Sequence, residues 1–317
     1  MRMTKRFSLF AAAAAFTAST AALAAPTFIN ILTGGTSGVY YPIGVGLSQL
    51  YSNGIEGSKT SVQATKASVE NLNLLQAGRG ELALALGDSV ADAWNGVEEA
   101  GFKAPLTKLR AIAGTYPNYI QIVASKESGI KTLADLKGKT ISVGAPKSGT
   151  ELNARAIFKA AGLSYDDMAK VEFLPYAESV ELIKNRQLDA TLQSSGLGMA
   201  AIRDLAATLP ITFVSVPSDV TTKIGNAAYQ PAVIPAGTYD GQDADVPTVA
   251  ITNILVSHDG VPEEVAYQMT KLMFENLDRL GNAHSAAKDI KLENAAKNLP
   301  IPLHPGAERY YKEVGAL

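Results

Sequence analysis

Hydrophobic and polar positions alternate along the chain in a way that predicts repeated strand–turn–helix units. The short β-rich run Phe28–Thr33 leads through a glycine-rich turn into an uncharged helical stretch from Val39 to about Ser52. Thr60–Thr65 alternates as a strand does, and Ser68 then precedes a predicted helix over Val69–Ala77.

The same pattern continues through the rest of the chain. Further strands are predicted at Glu81–Leu86, Arg110–Tyr116, Ile120–Ser125, Thr140–Gly144, Val171–Leu174, Ala190–Gln193, Ile211–Val216 and Thr248–Ser257. Further helices are predicted at Asp88–Trp94, Thr132–Leu136, Ser148–Ala161, Val180–Asn185, Gly198–Ala206 and Pro262–Leu280. Strands and helices that alternate at this spacing are typical of an α/β protein with mostly parallel sheets.

The domain organisation follows from the lack of a linker sequence. No Gly/Ser-rich or Pro-rich segment divides the chain, so two domains would be joined by strands that cross between them. Tyr116–Tyr119 and Thr222–Gln230 are the candidate crossings. We therefore expect a discontinuous first lobe of residues 25–117 and 228–317, with residues 118–227 inserted as a second lobe.

The N-terminal segment has the pattern of a secretory signal peptide. Arg2, Lys5 and Arg6 precede an apolar, alanine-rich run from Phe7 to Ala24. A transmembrane anchor is the alternative, but such a run is a weak bilayer span and no basic residues follow it. We predict a signal peptide over residues 1–24 that is cleaved after Ala24, with the remaining chain in the periplasm of a Gram-negative cell.

Composition excludes several classes of protein. The 317 residues include no cysteine and three histidines, which excludes CxxC zinc sites and cysteine nucleophiles and argues against a multi-histidine metal centre. The balance of 28 Lys and Arg against 30 Asp and Glu lacks the basic excess that is usual in nucleic-acid-binding proteins. We expect no metal site and no nucleic-acid partner.

Motifs for cofactors and catalysis are incomplete. Gly144–Thr150 is placed as a P-loop would be, but Thr150 stands where the phosphate-binding lysine is required. Gly44 and Gly46 lack the third glycine of a dinucleotide motif. Gly87-Asp88-Ser89 is similar to the nucleophile block of one esterase family, yet the partner Asp-x-x-His motif is missing. We expect no cofactor and no enzymatic activity; a hydrolase that uses Ser89 is the least favoured alternative.

Small polar residues recur where a predicted strand leads into a predicted helix. They are Thr36, Ser37 and Gly38 in the first turn, then Ser68, Asp88, Ser89, Ser148, Gly149, Thr150, Ser194 and Ser195. Free N–H groups and the positive end of the helix dipole at such turns bind carboxylates or phosphates. Any single turn can equally be an ordinary helix cap. It is their repetition that indicates an anion site at the carboxyl ends of the strands.

Three further side chains are candidates for the same site. Tyr40 and Tyr116 supply hydroxyl groups near a turn and near a predicted crossing, where an aromatic ring either lines a cleft or fills the core. Lys66 lies two residues before Ser68 and could reach a carboxylate or remain a solvated loop residue.

Four stretches of the chain carry a family resemblance: Thr33–Gly44, Ser68–Gly78, Leu133–Arg155 and Leu299–Leu317. They resemble the TAXI family, the extracytoplasmic solute-binding proteins of one class of TRAP transporters. The resemblance covers essentially all of the chain after the predicted signal peptide. It implies a two-lobe type II periplasmic-binding-protein fold of the α/β class, with hinge strands and a central cleft that closes on a ligand. It also implies delivery of the ligand to the membrane subunits of an ion-gradient-driven TRAP transporter. We expect the protein to be a monomer.

The resemblance also implies a ligand class and a set of contacts. Family members bind small carboxylates, including glutamate, glutamine and C5 dicarboxylates such as 2-oxoglutarate. By position, Thr36, Ser37, Gly38, Tyr40 and Ser68 would contact the ligand from the first lobe. Ser148, Gly149 and Thr150 would do so from the second, with Asp88, Ser89, Ser194 and Ser195 in corresponding loops.

One departure from the family pattern matters for the ligand. Relatives commonly have Thr-Gly-Gly-Ser where this chain has Thr65-Lys66-Ala67-Ser68. The added Lys66 either favours a second carboxylate or blocks the close approach that glycine allows. A ligand-binding subunit of a periplasmic sensor would use the same fold and cleft, and it is the alternative to a transport function.

Overall fold

A computed structural model describes residues 27–317. The predicted signal peptide lies outside the described residues. The strands are β1 (Thr27–Leu32), β2 (Ser58–Gln63), β3 (Leu82–Leu86), β4 (Leu109–Ser125), β5 (Thr140–Ser142), β6 (Lys170–Glu172), β7 (Ala190–Ser195), β8 (Ile211–Val214), β9 (Gln230–Ile234) and β10 (Val246–His258).

Helices connect most of these strands. They are α1 (Tyr40–Gly54), α2 (Ser68–Gln76), α3 (Gly87–Asn95), α4 (Gly149–Ala160), α5 (Tyr176–Lys184), α6 (Ala200–Thr208), α7 (Ser218–Ile224), α8 (Glu263–Phe274), α9 (Leu277–Ala283), α10 (Leu292–Ala295) and α11 (Pro305–Glu313). Short 3-10 helices lie at Glu98–Ala100, Lys126–Ser128, Leu133–Leu136, Tyr165–Asp167 and Ser285–Asp289. Between residues 27 and 317, no helix is both long enough and apolar enough to span a membrane.

The strands form one sheet whose two ends differ from its centre. Its order is β2-β1-β3-β10-β4-β7-β5-β6, with β8 paired to β4 and β9 paired to β10. Pairing is parallel at the two ends, among β1, β2 and β3 and among β5, β6 and β7. We call the half with β1–β3 lobe I and the half with β5–β8 lobe II. The prediction of mostly parallel pairing is wrong for the centre, where β4 and β10 are antiparallel to all their partners.

The two longest strands connect the lobes. β4 has 17 residues and β10 has 13, and they pair with each other from Ala250↔Tyr119 to His258↔Leu109. Beyond Tyr119, β4 pairs with β7 and β8 of lobe II. The predicted crossing at Tyr116–Tyr119 lies inside β4. The second connection is β10 rather than the predicted Thr222–Gln230, and the residue limits of the two lobes stay a prediction.

A proline in the middle of β4 does not end the strand. The sequence predicts two strands on either side of Pro117, but the structure has one. Between Gly114 and Pro117, β4 has two residues opposite the single Asn253 of β10, which is a β-bulge. A bulge tolerates the missing N–H of proline, so the strand continues through it.

Most other predicted elements are confirmed to within a few residues, including β1, α1, α2, β3, α3, α4 and β7. The predicted helix Pro262–Leu280 is two helices, because the backbone of Asn276 (φ −132°, ψ 31°) leaves the helical conformation and starts α9. The prediction omits α7, β9, α10 and α11.

Candidate ligand-binding site

A cleft of about 140 Å³ lies between the lobes, where the carboxyl ends of the parallel strands meet. Its walls come from the turns after β1 and β2, the start of α2, the ends of β3 and β7, and the segments that follow β5 and β6. It is lined by Gly34, Gly35, Gly38, Val39, Tyr40, Thr65, Lys66, Ala67, Ser68, Leu86, Ala145, Ser148, Gly149, Thr150, Pro175, Tyr176, Ser194 and Ser195.

Four helices begin at this cleft, two from each lobe. Their first residues, Tyr40, Ser68, Gly149 and Tyr176, all line it. Of these four helices, only α4 has a side-chain cap, in which Ser148 Oγ accepts from the N–H of Glu151 at 3.2 Å. The first N–H groups of a helix have no partner inside the helix and carry partial positive charge. The cleft therefore presents converging positive helix ends from both lobes.

Buried hydroxyl groups lie beside these helix ends. Ser68, Ser148 and Ser195 are 1%, 4% and 4% exposed. Each oxygen accepts from a backbone N–H: Leu86 on Ser68 (3.1 Å), Glu151 on Ser148 and Val39 on Ser195 (3.3 Å). Each hydroxyl keeps one hydrogen and a second lone pair, so it can both donate to and accept from a neighbouring group or a ligand.

Tyr176 is a lining residue that the sequence analysis omitted from its candidates. Its hydroxyl accepts from the N–H of Ser194 at 3.1 Å, donates to the carbonyl of Ser194 at 2.7 Å, and lies 2.5 Å from Thr150 Oγ1. Its ring faces Gly38 of lobe I, 3.5 Å from where a Cβ on that glycine would be. Tyr176 begins α5 after the short connection from β6, a strand-to-helix turn like the others, but this turn lacks the small polar residues that marked them.

Ser194 holds the floor of the cleft in place. Its hydroxyl accepts from Asn118 and donates to Asn153 Oδ1, both at 2.8 Å. The hydroxyl of Tyr40 likewise donates to Asn253 Oδ1 at 2.6 Å, and burial raises its pKa well above the ordinary value, so it stays protonated. These side chains bring β4 and β10 of the hinge into hydrogen-bonded contact with the site.

Lys66 is the one charged side chain among the lining residues. Its backbone N–H donates to Glu70 Oε2 at 2.6 Å, and its side chain is exposed. The next residue, Ala67, has φ 70° and ψ −149°, a conformation that normally requires glycine. The hydroxyl of Thr65, which accepts from the Ala67 N–H at 2.9 Å and contacts Asn71, holds this turn.

The structure does not bring every predicted residue to the cleft. It brings together nine of them: Gly38, Tyr40, Lys66, Ser68, Ser148, Gly149, Thr150, Ser194 and Ser195. Thr36 is exposed and Ser37 is partly buried, and the Ser37 carbonyl accepts from the backbone N–H of Ala201 in lobe II. Neither lines the cleft.

Asp88, Ser89 and Tyr116 are also outside the cleft lining, because all three are buried behind it. Ser89 is fully buried and its hydroxyl contacts no other polar group among the described residues, so the geometry does not favour a hydrolase that uses it. Tyr116 is fully buried in the hydrophobic core that both lobes share.

Asp88 instead joins the two lobes. Its Oδ2 accepts from Asn153 Nδ2 of α4 at 2.7 Å and from the Tyr229 hydroxyl at 2.6 Å, while Oδ1 accepts from the N–H of Ser89. Burial raises the pKa of this carboxyl, and the hydrogen bonds from Tyr229, Ser89 and Asn153 oppose that shift. The network closes the lobes behind the cleft.

Comparison of the sequence with models of known protein families identifies the family of this chain. A family model described as the NMT1-like family matches residues 31–315. The chain belongs to the NMT1-like family.

Solved structures that resemble this NMT1-like protein share its fold over nearly its whole length. A protein from Bordetella bronchiseptica RB50 is similar with a TM-score of 0.56 and 15% identity, covering 91% of this chain and 98% of that one. The periplasmic aliphatic sulphonate binding protein SsuA from Escherichia coli gives 0.50 and 15%, over 92% and 94%. A TctC solute binding protein from Polaromonas gives 0.50 and 12%, over 93% and 100%. The two-lobe α/β fold is therefore that of periplasmic binding proteins.

Proposed function

We propose that this chain is an extracytoplasmic solute-binding protein of a TAXI-type TRAP transporter, which captures a small carboxylate by lobe closure. The observation that carries the proposal is the convergence of four helix N-termini, two from each lobe, on one cleft. A carboxylate is the anion of matching size and charge for such a site. The sequence resemblance to the TAXI family supports the same ligand class.

The contacts between the lobes support a closing mechanism. Val39 N–H of lobe I donates to Ser195 Oγ of lobe II, and Gly149 of lobe II packs on Ser68 and Leu86 of lobe I. A ligand favours the closed form only if it binds that form better than the open one. Donors from both lobes meet that requirement, because the open form cannot bring them together.

The proposed setting is the periplasm, with delivery of the ligand to the membrane subunits of a transporter driven by an ion gradient. The fold shared with SsuA and TctC, both described as binding proteins, supports this setting. We propose that the protein acts as a monomer and that Lys66 adds a positive charge at the rim of the cleft.

A thermal-shift screen of the purified chain without residues 1–24 tests the function. Small mono- and dicarboxylates that bind should raise the midpoint of unfolding, and tighter ligands should raise it more at equal concentration, because a ligand that binds only the folded state stabilises it by mass action. Hits are then measured by calorimetry. The proposal is wrong if no carboxylate binds while neutral solutes of the same size do.

The double variant Ser148→Ala/Thr150→Val tests whether the carboxylate binds at these two residues of the cleft. It should weaken carboxylate binding about tenfold or more and leave the protein folded. Thr191→Val, a buried threonine of β7 outside the cleft lining, is the matched control and should retain the affinity. Equal affinity in all three proteins would contradict the assignment.

A further inference from the structure

The lobes meet along α4 as well as in the cleft. Leu152, Asn153 and Arg155 of this lobe II helix each contact lobe I, and Tyr229 joins them; none of the four lines the cleft. We call these four residues the α4 contact. We propose that the α4 contact sets how firmly the closed lobes hold a ligand, with Tyr229 as its positioning residue. This inference rests on the proposed function, because it concerns the closure that captures the ligand.

The apolar part of the α4 contact is Leu152. Its side chain packs against a hydrophobic cluster whose buried members belong to lobe I and the strands that pair with it, among them Val69 of α2 and Val90 of α3. Gly149, three residues earlier in α4, packs on Ser68 at the edge of the cleft. Residues three apart lie on the same face of a helix, so one face of α4 is seated on lobe I from the cleft outward.

The polar part of the α4 contact surrounds Asp88 of lobe I. The Tyr229 hydroxyl donates to Asp88 Oδ2 at 2.6 Å, and Asn153 Nδ2 donates to the same oxygen at 2.7 Å. Asn153 Nδ2 also donates to the Tyr229 hydroxyl at 2.8 Å. Tyr229 is 6% exposed, and its ring packs in a core cluster with Phe158 and Val220 of lobe II. One tyrosine hydroxyl therefore connects a carboxylate of lobe I with an amide of lobe II.

The exposed end of the α4 contact is Arg155. Its Nη1 donates to the backbone carbonyl of Glu99 in lobe I at 3.3 Å, while its Nε pairs with Glu151 of its own helix. Contacts between exposed charged side chains contribute little free energy, because water competes for the same groups. We therefore expect the buried residues of the α4 contact, and Tyr229 above all, to dominate its effect on closure.

Closure surrounds the Asp88 carboxylate with neutral donors. Asp88 is 3% exposed; the N–H of Ser89 donates to it from its own lobe, and Asn153 and Tyr229 donate from the α4 contact. A buried carboxylate is costly unless hydrogen bonds replace its water. In an open form water would take the places of Asn153 and Tyr229. Loss of either donor therefore weakens the closed form more than the open one.

The α4 contact touches no ligand, so it favours the closed form to the same extent whichever ligand is bound. The apparent affinity of a ligand that requires the closed form rises with the fraction of closed protein. Because a trapped ligand leaves only after the lobes open, the α4 contact acts mainly on the dissociation rate. The cleft then decides which solute binds, and the α4 contact decides how long it stays.

The variant Tyr229→Phe tests this, because it removes the central hydroxyl and keeps the ring. Stopped-flow kinetics with 2-oxoglutarate and with glutamate should show a dissociation rate raised about tenfold and an association rate changed by less than about twofold. Tyr165→Phe is the matched control, since the Tyr165 hydroxyl also contacts a carboxylate, Glu151 Oε1 at 3.0 Å, but within lobe II. A tyrosine with a structural role alone would lower stability without separating the two rates.

A distance measurement without ligand gives a second readout. The chain has no cysteine, so Lys59→Cys on β2 and Lys170→Cys on β6 would carry spin labels on exposed positions at opposite ends of the sheet. Tyr229→Phe in this background should move part of the population from the closed distance to a second, open distance. Tyr165→Phe should give the distance distribution of the parent.

The outcomes separate this inference from the function it rests on. Rates and distances in Tyr229→Phe that equal those of the parent, or changes that Tyr165→Phe reproduces, overturn the inference and leave a carboxylate-binding function standing. A shifted distance distribution, with no carboxylate found in the thermal-shift screen, supports the α4 contact and overturns the proposed function. Faster dissociation of either acid in Tyr229→Phe alone supports both.

Discussion

The side-chain amide of Asn153 donates a 2.7 Å hydrogen bond to the carboxylate of Asp88 across the boundary between the lobes. Both side chains are almost fully buried, and neither lines the cleft. The same amide group lies 2.8 Å from the Tyr229 hydroxyl, and its carbonyl accepts from Ser194 on the cleft floor. Asn153 thus links the contact between the lobes to a residue that lines the cleft.

Truncation of this amide should be costly. Asn153→Ala leaves the buried Asp88 carboxylate without one of its donors and should lower the free energy of unfolding by about 2–3 kcal/mol. Asn73→Ala, which removes an amide that bonds within the exposed face of α2, should cost well under 1 kcal/mol. Urea unfolding of both variants makes the comparison. Equal losses of unfolding free energy in the two variants would mean that the hydrogen bond between Asn153 and Asp88 contributes no more to stability than a bond on the surface.

The close approach at Gly149 predicts an effect on closure. A Cβ there would lie 2.6 Å from Leu86 Cδ1 and 2.7 Å from Ser68 Oγ, both in the opposite lobe. Gly149→Ala should therefore hold the lobes apart and reduce affinity for the carboxylate at least about tenfold, with the fold intact. Gly114→Ala meets only ordinary contacts from 3.5 Å outward and should bind as the parent does. Calorimetry on both proteins checks this, and unchanged affinity in Gly149→Ala would refute it.

The strained turn before α2 predicts a stabilising substitution. Ala67 has φ 70°, which costs an L-residue roughly 1–2 kcal/mol and costs glycine little. Glycine makes the unfolded chain more flexible, so Ala67→Gly should gain only about 0.5–1 kcal/mol. Ala207→Gly, on the exposed face of α6, should instead lose up to about 1 kcal/mol. Opposite signs in chemical denaturation are the expected result; a loss at both sites would contradict it.

Asp92 predicts a dependence of stability on pH. Burial, and then the charge of Asp88, raises the pKa of the Asp92 carboxyl to about 6. In the unfolded chain it titrates near 4, so between these values the folded state binds more protons and stability falls as pH rises. Asp92→Asn should remove that fall, and its stability relative to the parent should improve from pH 4 to pH 7.

Asp219 is the matched control for this titration. The Lys223 ammonium lowers the pKa of its exposed carboxyl, so any stability it contributes is present above about pH 4 and lost in acid. Asp219→Asn should show a small effect of the opposite sign. A relative stability of Asp92→Asn that does not change with pH would disprove the assignment.

Hydrophobic periodicity predicted much of the fold because most elements are local. β1, α2 and α4 each combine a periodic apolar pattern with a turn or cap residue that ends it. Pro117 misled the prediction because its cost in a strand depends on the partner, and the bulge opposite Asn253 is not visible in either segment alone. The parallel or antiparallel sense of β4 and β10 likewise depends on pairing between residues more than 120 positions apart.

The sequence predicted which turns form the site, but it predicted less well which side chains of those turns face the cleft. Ser68, Ser148 and Ser195 follow the general rule for helix starts at strand ends and do line the cleft. Asp88 occupies the same kind of turn, yet its carboxylate faces Asn153 and Tyr229 rather than the cleft. Which way a turn residue faces depends on the opposite lobe, and that information is not local.

The position of β10 has a consequence for when the molecule can fold. β10 inserts between β3 and β4, so Leu255 pairs with Leu84 and with Ala113 at once. Lobe I has no complete central sheet until some 250 residues of chain have been made, whereas the sheet of lobe II lies earlier in the sequence. Contacts between such distant segments form slowly, because a long loop must close first. The nascent chain would thus remain unable to complete its fold until synthesis is nearly over, a state in which an unfolded polypeptide can still be threaded through a narrow channel.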